Sequence, residues 1–427
     1  MSATAKSHYD VLIVGGGMVG STLACALADT GLDIAVIEKF VPDEIKQNDD
    51  YDLRVSAISH SSQNAFKHTG VWPLIEKRRS CAYEKMHVWD AQADSMASSM
   101  GGGEVVFDAA DNGVSELGHI IENRVIQLSL LERIEEHHNI DLITGHVVEG
   151  IEYGADQSRI TLDNGNDISC RLLVGADGAN SIVRQAVDID LDIADYEQKG
   201  IVTVVTPEKH HQHTAWQRFL PTGPLAFLPL SNDQCSIVWS ADSVEAERLM
   251  QLDDENFCLE LSHAFESKLG SVNSASPRAA FPLIRRHASQ YVKDGLALVG
   301  DAAHTIHPLA GQGVNLGLMD AASLAEVISA AKLHRRDFAS LQTLRKYERW
   351  RRGENQLMMF SMSGFKNLFG NDNPLISKIR NFGLSLVQKS ELVKASLMNR
   401  AMGFEGDLPA IARDEYQFEK ARQGAKQ

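Results

Sequence analysis

Two distant segments of the chain share one pattern of hydrophobic and polar positions. In the first, the apolar run 11–14 leads into a glycine-rich stretch, and apolar positions at helical spacing start at Val19. In the second, the apolar run 296–299 also leads into a glycine-rich stretch, and a helical pattern starts at Val314. Each segment therefore predicts a buried strand, a tight turn and a helix.

The turn of the first segment carries glycines at the spacing G-x-G-x-x-G. Gly15 permits the tight turn, Gly17 lets the backbone approach a pyrophosphate, and Gly20 lets the helix pack closely on the strand. The helix points its amide N–H groups at the phosphates. A second apolar strand, residues 34–37, ends on Glu38, whose carboxylate can accept hydrogen bonds from adenosine ribose hydroxyls. This segment predicts a dinucleotide site.

The second segment indicates which dinucleotide is bound. Asp301 ends its strand after Gly300, where a carboxylate suits the hydroxyls of a ribityl chain. The helix that starts at Val314 has a positive N-terminus, which can stabilise negative charge on a reduced flavin. His304 and His307 could instead ligate a metal, but no third ligand lies nearby in the sequence, so packing of this loop against the cofactor is the favoured interpretation. We predict FAD and no metal.

Between these segments the pattern changes to the alternation of a β-strand. Cys235, Ile237 and Trp239 occupy every second position, which predicts a half-buried strand, and residues 190–285 are rich in such strands. We expect an antiparallel sheet that covers the flavin ring. The small residues of 91–103 predict a loop or hairpin over the substrate site.

The predicted fold class is α/β, with a Rossmann-like FAD-binding domain, an antiparallel-sheet substrate domain and a helical C-terminus. A chain of 427 residues exceeds the usual size of one core, which also predicts more than one domain. The predicted division is a discontinuous FAD-binding domain at 1–85, 118–185 and 288–345, a substrate-binding sheet domain at 86–117 and 186–287, and a C-terminal helical region and tail at 346–427.

Composition excludes several classes of protein. A net charge of −16 argues against nucleic acid as a partner, because nucleic-acid binding needs a basic surface. The five cysteines are scattered without a C-x-x-C pair, so neither a disulfide reductase nor a zinc ribbon is indicated. The N-terminus lacks the apolar core of a signal peptide, and no stretch reaches the roughly 18 apolar residues of a membrane span. We therefore expect a cytoplasmic protein.

The motifs point to a family. The sequence resembles the class A flavoprotein monooxygenases, or para-hydroxybenzoate hydroxylase superfamily, through G-x-G-x-x-G, a DG motif at Asp177 in GADGANSIVR, and a GD motif at Gly300. Within that superfamily, the chain is similar to the ubiquinone-biosynthesis hydroxylases over most of residues 1–400. The closer similarity lies in LRVSAIS, LGHIIENRVI and QRFLPTGPLAFLPLS, and details such as MHVWD resemble the bacterial 2-polyprenylphenol hydroxylase type.

The resemblance implies a para-hydroxybenzoate hydroxylase type of fold and an FAD-dependent aromatic-ring monooxygenase. In such enzymes NAD(P)H binds transiently and reduces the flavin, O2 then gives a flavin C4a-hydroperoxide, and a hydroxyl group passes to the substrate, here a polyprenylphenol of ubiquinone biosynthesis. The sequence has no second dinucleotide motif, which agrees with transient NAD(P)H binding. Two other functions are compatible with the fold: a flavin-dependent reductase of prenyl double bonds, and a non-catalytic flavin-binding subunit. No catalytic acid or base is assigned.

The resemblance also implies cofactor contacts. Arg54 is expected near the flavin or its phosphates, although a surface ion pair is the alternative. At the helix start where many relatives carry an arginine, this chain has Asn123 followed by Arg124, and either could reach the cofactor. The full set of expected cofactor-binding residues is Gly15, Gly17, Gly20, Glu38, Arg54, Asn123, Asp177, Gly300, Asp301, Pro308, Gly311, Gly313 and Asn315.

Residues 356–400 combine many apolar side chains with six basic and two acidic ones. Basic amphipathic helices can lie on an anionic membrane, although packing on the flavin domain or on a partner subunit is an equal alternative. The expected protein could therefore contact the inner face of the membrane peripherally or join a biosynthetic complex, and a homo-oligomer is compatible. His210, His211 and His213 predict an exposed loop rather than a metal site.

Overall fold

The computed structural model describes residues 6–46, 49–91, 103–306, 313–369, 390–404 and 406–414. The helices in these ranges are α1 Met18–Leu27, α2 His60–His68, α3 Trp72–Arg78, α4 Asn123–Glu135, α5 Ile182–Ala186, α6 Ser243–Gln251, α7 Asp254–Ala264, α8 Gly313–Leu333, α9 Leu341–Phe369 and α10 Glu391–Met402. The strands are β1 His8–Val14, β2 Ile34–Glu38, β3 Val55–Ile58, β4 Cys81–Tyr83, β5 Lys85–Asp90, β6 Glu104–Asp108, β7 Gly118–Glu122, β8 Ile140–Thr144, β9 Val148–Glu152, β10 Ser158–Leu162, β11 Asp167–Gly175, β12 Leu191–Pro207, β13 Thr214–Leu220, β14 Gly223–Pro229, β15 Cys235–Asp242, β16 Val272–Ala275, β17 Ala279–Ala288, β18 Val292–Lys293, β19 Leu296–Leu298 and β20 His304–Thr305.

The first sheet has eight strands and a parallel centre. Its main order is β18-β19-β11-β1-β2-β8, and β10 and β9 extend it from β11. Strand β1 runs parallel to both of its neighbours, and Val11, Leu12 and Ile13 are fully buried. Helix α1 packs against α4 and α8. Burial on both faces explains why this strand is a continuous apolar run. The predicted Rossmann-like unit is confirmed.

The second sheet has nine strands in the main order β20-β17-β12-β15-β14-β13-β5-β6, with β16 beside β12. Neighbouring strands are antiparallel, as predicted, except that β5 and β13 run parallel. The prediction of a half-buried β15 is wrong, because Ser236 and Ser240 are as buried as Ile237. Helices α6 and α7 cover one face of the sheet, and the small sheet β3-β7-β4 packs on the other.

The C-terminal region is helical, as predicted, and part of it folds back onto the body of the protein. Helix α9 packs against α8. Helix α10 buries Met398 and Met402 against Ala109 and Leu117. The predicted loop at 91–103 lies almost wholly outside the described residues, which resume at Gly103.

One described helix is long and apolar enough to cross a membrane by length and composition alone. Helix α8 has that length and composition, and 67% of its apolar window is buried inside the protein. It lies against α1 on one side and α9 on the other. Its apolar character is therefore explained by its place in the core.

Candidate active site

The two glycine-rich segments meet at a cleft of about 460 Å³, within the size range of ligand sites. One wall is formed by residues that follow the carboxyl ends of β1, β11 and β19, which is where open α/β sheets bind ligands. The opposite wall is a largely apolar face of the second sheet. Its side chains on that wall include Val202, Val238, Phe281, Leu283 and Ile284.

The three glycines of the first turn occupy sterically different positions. A Cβ on Gly15 would lie 2.4 Å from the carbonyl oxygen of Ala176, and its φ of +105° disfavours other residues. A Cβ on Gly20 would lie 2.0 Å from the carbonyl oxygen of Gly15. Gly17 lines the cleft, and a Cβ there would meet no atom within 4 Å. Gly15 and Gly20 thus allow close packing, whereas Gly17 leaves backbone open to a ligand.

The GD segment and the start of α8 form the other end of the cleft. Asp301 is exposed to the cleft. Desolvation by the surrounding walls raises the pKa of its carboxyl, although the charges of His304 and Arg54 act in the opposite direction. Helix α8 begins at Gly313, one residue before the predicted start, and its first turn contains no acidic residue. Its N-terminus therefore presents positive partial charge to the cleft.

Arg54 and Asn123 both line the cleft. Within the described ranges the guanidinium of Arg54 forms no ion pair, so the alternative of a surface ion pair is not seen there. Asn123 accepts a 2.7 Å hydrogen bond from the hydroxyl of Ser56 at the cleft wall. Arg124 instead lies 3.3 Å from Asp52, outside the lining. Asn123 therefore lies at the cleft, and Arg124 does not; which of them contacts the cofactor stays a prediction.

Two of the expected cofactor residues are acids with backbone partners. The carboxylate of Glu38 lies beside the glycine turn and accepts a 2.9 Å hydrogen bond from the amide of Phe40. Asp177 accepts hydrogen bonds from the amides of Ile182 and Val183 at the start of α5. Its other oxygen, Oδ1, is buried without a partner, and burial raises the pKa of this carboxyl. Each acid has acceptor capacity left for a ligand.

Asn315 is placed differently from the expectation. Its amide donates to the carbonyl oxygen of Ala57 at 2.8 Å and accepts from the amide of Ser59 at 3.1 Å. The side chain therefore links α8 to the end of β3. Pro308 and Gly311 lie outside the described residues.

Two polar cleft residues were missed from the sequence. Strand β17 pairs with β20 so that Arg286 lies opposite Thr305, and both line the cleft. The hydroxyl oxygen of Thr305 is buried without a hydrogen-bond partner. The sequence signal was weak, because only this long-range pairing places Arg286 beside the GD segment. The open glycine turn, the helix N-terminus and these unused polar atoms fit an elongated, anionic cofactor such as FAD.

Among the described residues, neither histidine group offers three metal ligands that are free of other partners. Nε2 of His304 lies 2.5 Å from the carboxylate of Asp320, and His307 is outside the described residues. Ligand atoms of His210, His211 and Asp233 lie within 4.8 Å of one another. However, Nε2 of His211 contacts the carbonyl oxygen of Leu230, and its Nδ1 accepts from the amide of His213. His211 is also buried rather than part of an exposed loop.

Comparison with known proteins agrees with the geometry. A family model described as FAD binding domain matches residues 8–359, most of the chain. The chain belongs to this FAD-binding family. The cofactor predicted from the two glycine-rich segments is therefore confirmed, and so is the flavoprotein family inferred from the motifs.

Curated relatives narrow the family. The chain is 37% identical to the 3-demethoxyubiquinol 3-hydroxylase of Escherichia coli, over 92% of this chain and 98% of the relative. It is 35% identical to the ubiquinone hydroxylase UbiL of Rhodospirillum rubrum, over 94% and 91%, and 33% identical to the human ubiquinone biosynthesis monooxygenase COQ6, over 93% of each. The predicted similarity to ubiquinone-biosynthesis hydroxylases is confirmed; the 2-polyprenylphenol type stays a prediction.

Solved structures support the fold. The p-nitrophenol 4-monooxygenase PnpA of Pseudomonas putida superimposes with a TM-score of 0.73 at 18% identity, over 93% of this chain and 99% of that one. The FAD-dependent monooxygenase pqsL of Pseudomonas aeruginosa gives a TM-score of 0.70 at 21% identity, over 88% and 99%. The predicted para-hydroxybenzoate hydroxylase type of fold is confirmed.

Proposed function

We propose that this FAD-binding protein is a monooxygenase that hydroxylates the ring of a polyprenylphenol intermediate of ubiquinone biosynthesis, with NAD(P)H and O2 as co-substrates. The observation that carries the proposal is the cleft, where the dinucleotide turn and the GD segment face an apolar sheet surface. The names of the three curated relatives above, a demethoxyubiquinol hydroxylase, a ubiquinone hydroxylase and a ubiquinone biosynthesis monooxygenase, support the same substrate class.

Bound FAD supplies the oxygen chemistry, and the residues of this chain bind it and shape its surroundings. The glycine turn and the N-terminus of α8 suit the phosphates and the charged part of the flavin. Arg54 and Asp301 would contact the cofactor from the cleft wall. The apolar wall around Phe281 suits an aromatic ring with a prenyl tail. We assign no catalytic acid or base.

We also propose that this cleft separates two domains with the boundaries expected from the sequence. The FAD-binding domain comprises 1–85, 118–185 and 288–345, and the substrate domain comprises 86–117 and 186–287. The glycine turn and GD segment belong to the first, and Val202, Val238 and Phe281 to the second. The remaining chain, 346–427, forms the C-terminal helical region and tail.

Oxygen uptake distinguishes the proposed hydroxylase from the two alternative functions, a prenyl reductase and a non-catalytic flavin-binding subunit. With FAD, NAD(P)H and a short-chain polyprenylphenol, we expect O2 consumption that rises at least about tenfold over the rate without the phenol, a gain within the range of substrate-positioning effects. The control is the same phenol with its ring already fully substituted. A prenyl reductase would oxidise NAD(P)H equally well without O2, and a non-catalytic subunit would show neither activity.

We further propose that the C-terminal helices contact the membrane that holds the polyprenyl substrate. Leu357 and Phe360 lie one turn apart on α9 and are 50% and 71% exposed. Val393 and Leu397 lie one turn apart on α10 and are also exposed. Lys394, in contrast, pairs with Asp111 at 2.7 Å, so only part of the predicted amphipathic segment is free of the protein body.

Flotation with vesicles of anionic and zwitterionic phospholipid tests this contact. The double substitution Leu357→Ser, Phe360→Ser is expected to weaken binding about tenfold or more, because each buried apolar side chain contributes about 1.5–3 kcal/mol. The matched control is Ile193→Ser, Val244→Ser, which removes two apolar side chains of the proposed substrate domain that are 58% and 82% exposed. Equal flotation of the two variants would contradict a contact through α9.

A further inference from the structure

The segment that carries Asp301 is held from behind by one buried carboxylate. Oδ2 of Asp320 accepts the backbone N–H of Gly300 at 3.2 Å and lies 2.5 Å from Nε2 of His304. Asp320 is fully buried and His304 is 3% exposed. A single oxygen therefore contacts both ends of the segment 300–304, while Asp301 between them faces the cleft.

The other oxygen of Asp320 links the same segment to the C-terminal helical region. Oδ1 accepts from Nε of Arg351 at 2.9 Å and from Nδ2 of Asn355 at 3.2 Å, both on α9. Arg351 and Asn355 are buried, and the Asn355 amide also lies 3.5 Å from the hydroxyl of Tyr291. The carboxylate is thus surrounded by four donors from two parts of the chain, the segment 300–304 and helix α9.

This arrangement leaves Asp320 no capacity for a ligand. A carboxylate without water is costly to bury unless it is paired and hydrogen-bonded. Here both oxygens are used by the protein, and a fully buried acid among the apolar core residues Leu318, Met319 and Leu324 serves no core-packing need. An asparagine could not replace it, because an amide has one donor end. Whichever way the amide turned, a donor would face either Gly300 and His304 or Arg351 and Asn355.

We propose that Asp320 is a positioning residue: it holds the segment 300–304 so that Asp301 meets the bound FAD. Helix α9 supports Asp320 through Arg351. The inference rests on the proposed function only in taking Asp301 as a cofactor contact. It concerns binding rather than turnover, so its success or failure is independent of the hydroxylation reaction.

A double-mutant cycle on FAD affinity tests the proposal. The dissociation constant is measured by flavin fluorescence titration of apoprotein for wild type, Asp301→Ala, Asp320→Asn and the double variant. We expect Asp320→Asn to weaken binding about tenfold or more in the wild-type background and less than about threefold when Asp301 is already replaced. A merely structural role would weaken binding by the same factor in both backgrounds and would overturn the proposal.

Two further variants keep the result interpretable. Asn355→Leu removes one donor to Asp320 from outside the cleft and leaves Asp320 charged, so the same non-additivity with Asp301→Ala is expected even if Asp320→Asn fails to fold. Glu354→Gln is the matched control, because Glu354 pairs with the outer side of Arg351 and does not contact Asp320. It should bind FAD within about twofold of wild type. Additive effects of Asn355→Leu and Asp301→Ala would also overturn the proposal.

Discussion

Replacing Gly20 with alanine is expected to destabilise the folded protein, whereas the same change at Gly17 is expected to impair only FAD binding. A Cβ at Gly20 would lie 2.0 Å from a backbone oxygen of the first turn, which cannot move without disturbing β1. We expect a loss of about 3 kcal/mol in the free energy of unfolding, the upper range for overpacking. A Cβ at Gly17 meets no protein atom, but it enters the cleft where the pyrophosphate is expected.

The two variants are each other's control, since the substitution is identical. Thermal melts of apoprotein and FAD titrations of both should separate the effects. For Gly17→Ala we expect an unchanged melting temperature and FAD affinity lower by about tenfold or more, because the added methyl group keeps the pyrophosphate from the backbone N–H and so costs about one hydrogen bond to a charged group. Wild-type FAD affinity in Gly17→Ala would contradict the assignment of the first turn to the pyrophosphate.

The second large effect is expected from Arg351→Met. Arg351 has a side chain only 2% exposed, and it neutralises the buried Asp320. Removing one partner of a buried ion pair costs about 3–5 kcal/mol, because the remaining charge has no water to solvate it. Chemical denaturation of the apoprotein measures this loss.

Arg248→Met is the matched control for that change. Arg248 also pairs with carboxylates, those of Glu245 and Glu260, but its side chain is 46% exposed. Exposed pairs contribute about 0–1 kcal/mol, so little change is expected. Equal losses of unfolding free energy in the two variants would show that the buried cluster of Asp320, His304, Arg351 and Asn355 contributes no more to stability than an exposed ion pair.

The same cluster predicts an acid dependence. Burial alone would raise the pKa of Asp320, but the charges and hydrogen bonds of His304 and Arg351 outweigh it and lower the pKa to about 2. A folded-state pKa below the unfolded value means stability that is present above about pH 4 and is lost as the pH falls toward 2. Asp320→Asn should flatten the dependence of the unfolding free energy on pH in that range.

The parts of the site that the sequence predicted are local ones. The strand, turn and helix around Gly15–Gly20 lie within one short stretch of chain, so the spacing of the glycines is enough to predict their geometry. The GD segment and the start of α8 were predicted for the same reason, to within one residue. The sequence did not decide whether Asn123 or Arg124 lies at the cleft. Arg124 is directed away by its ion pair with Asp52, and the sequence does not show that these two residues are in contact.

The parts that were missed depend on long-range contacts. Strand β15 is buried on both faces because α6, α7 and the small sheet β3-β7-β4 cover it. The alternation of residues within β15 does not indicate that these elements pack on it. Arg286 reaches the cleft only through the pairing of β17 with β20. Asp320 did leave a signal, an acid inside a helix with apolar neighbours, and such a position indicates a buried partner.

The most direct test of the hydroxylase account is isotope labelling of the product. The protein loaded with FAD is supplied with NAD(P)H, a polyprenylphenol and ¹⁸O2 in ordinary water, and the product is analysed by mass spectrometry. We predict one labelled oxygen atom in each new ring hydroxyl, and loss of that product in Gly17→Ala at limiting FAD. A product whose new hydroxyl oxygen comes from water, or a product that forms equally without O2, would contradict the account.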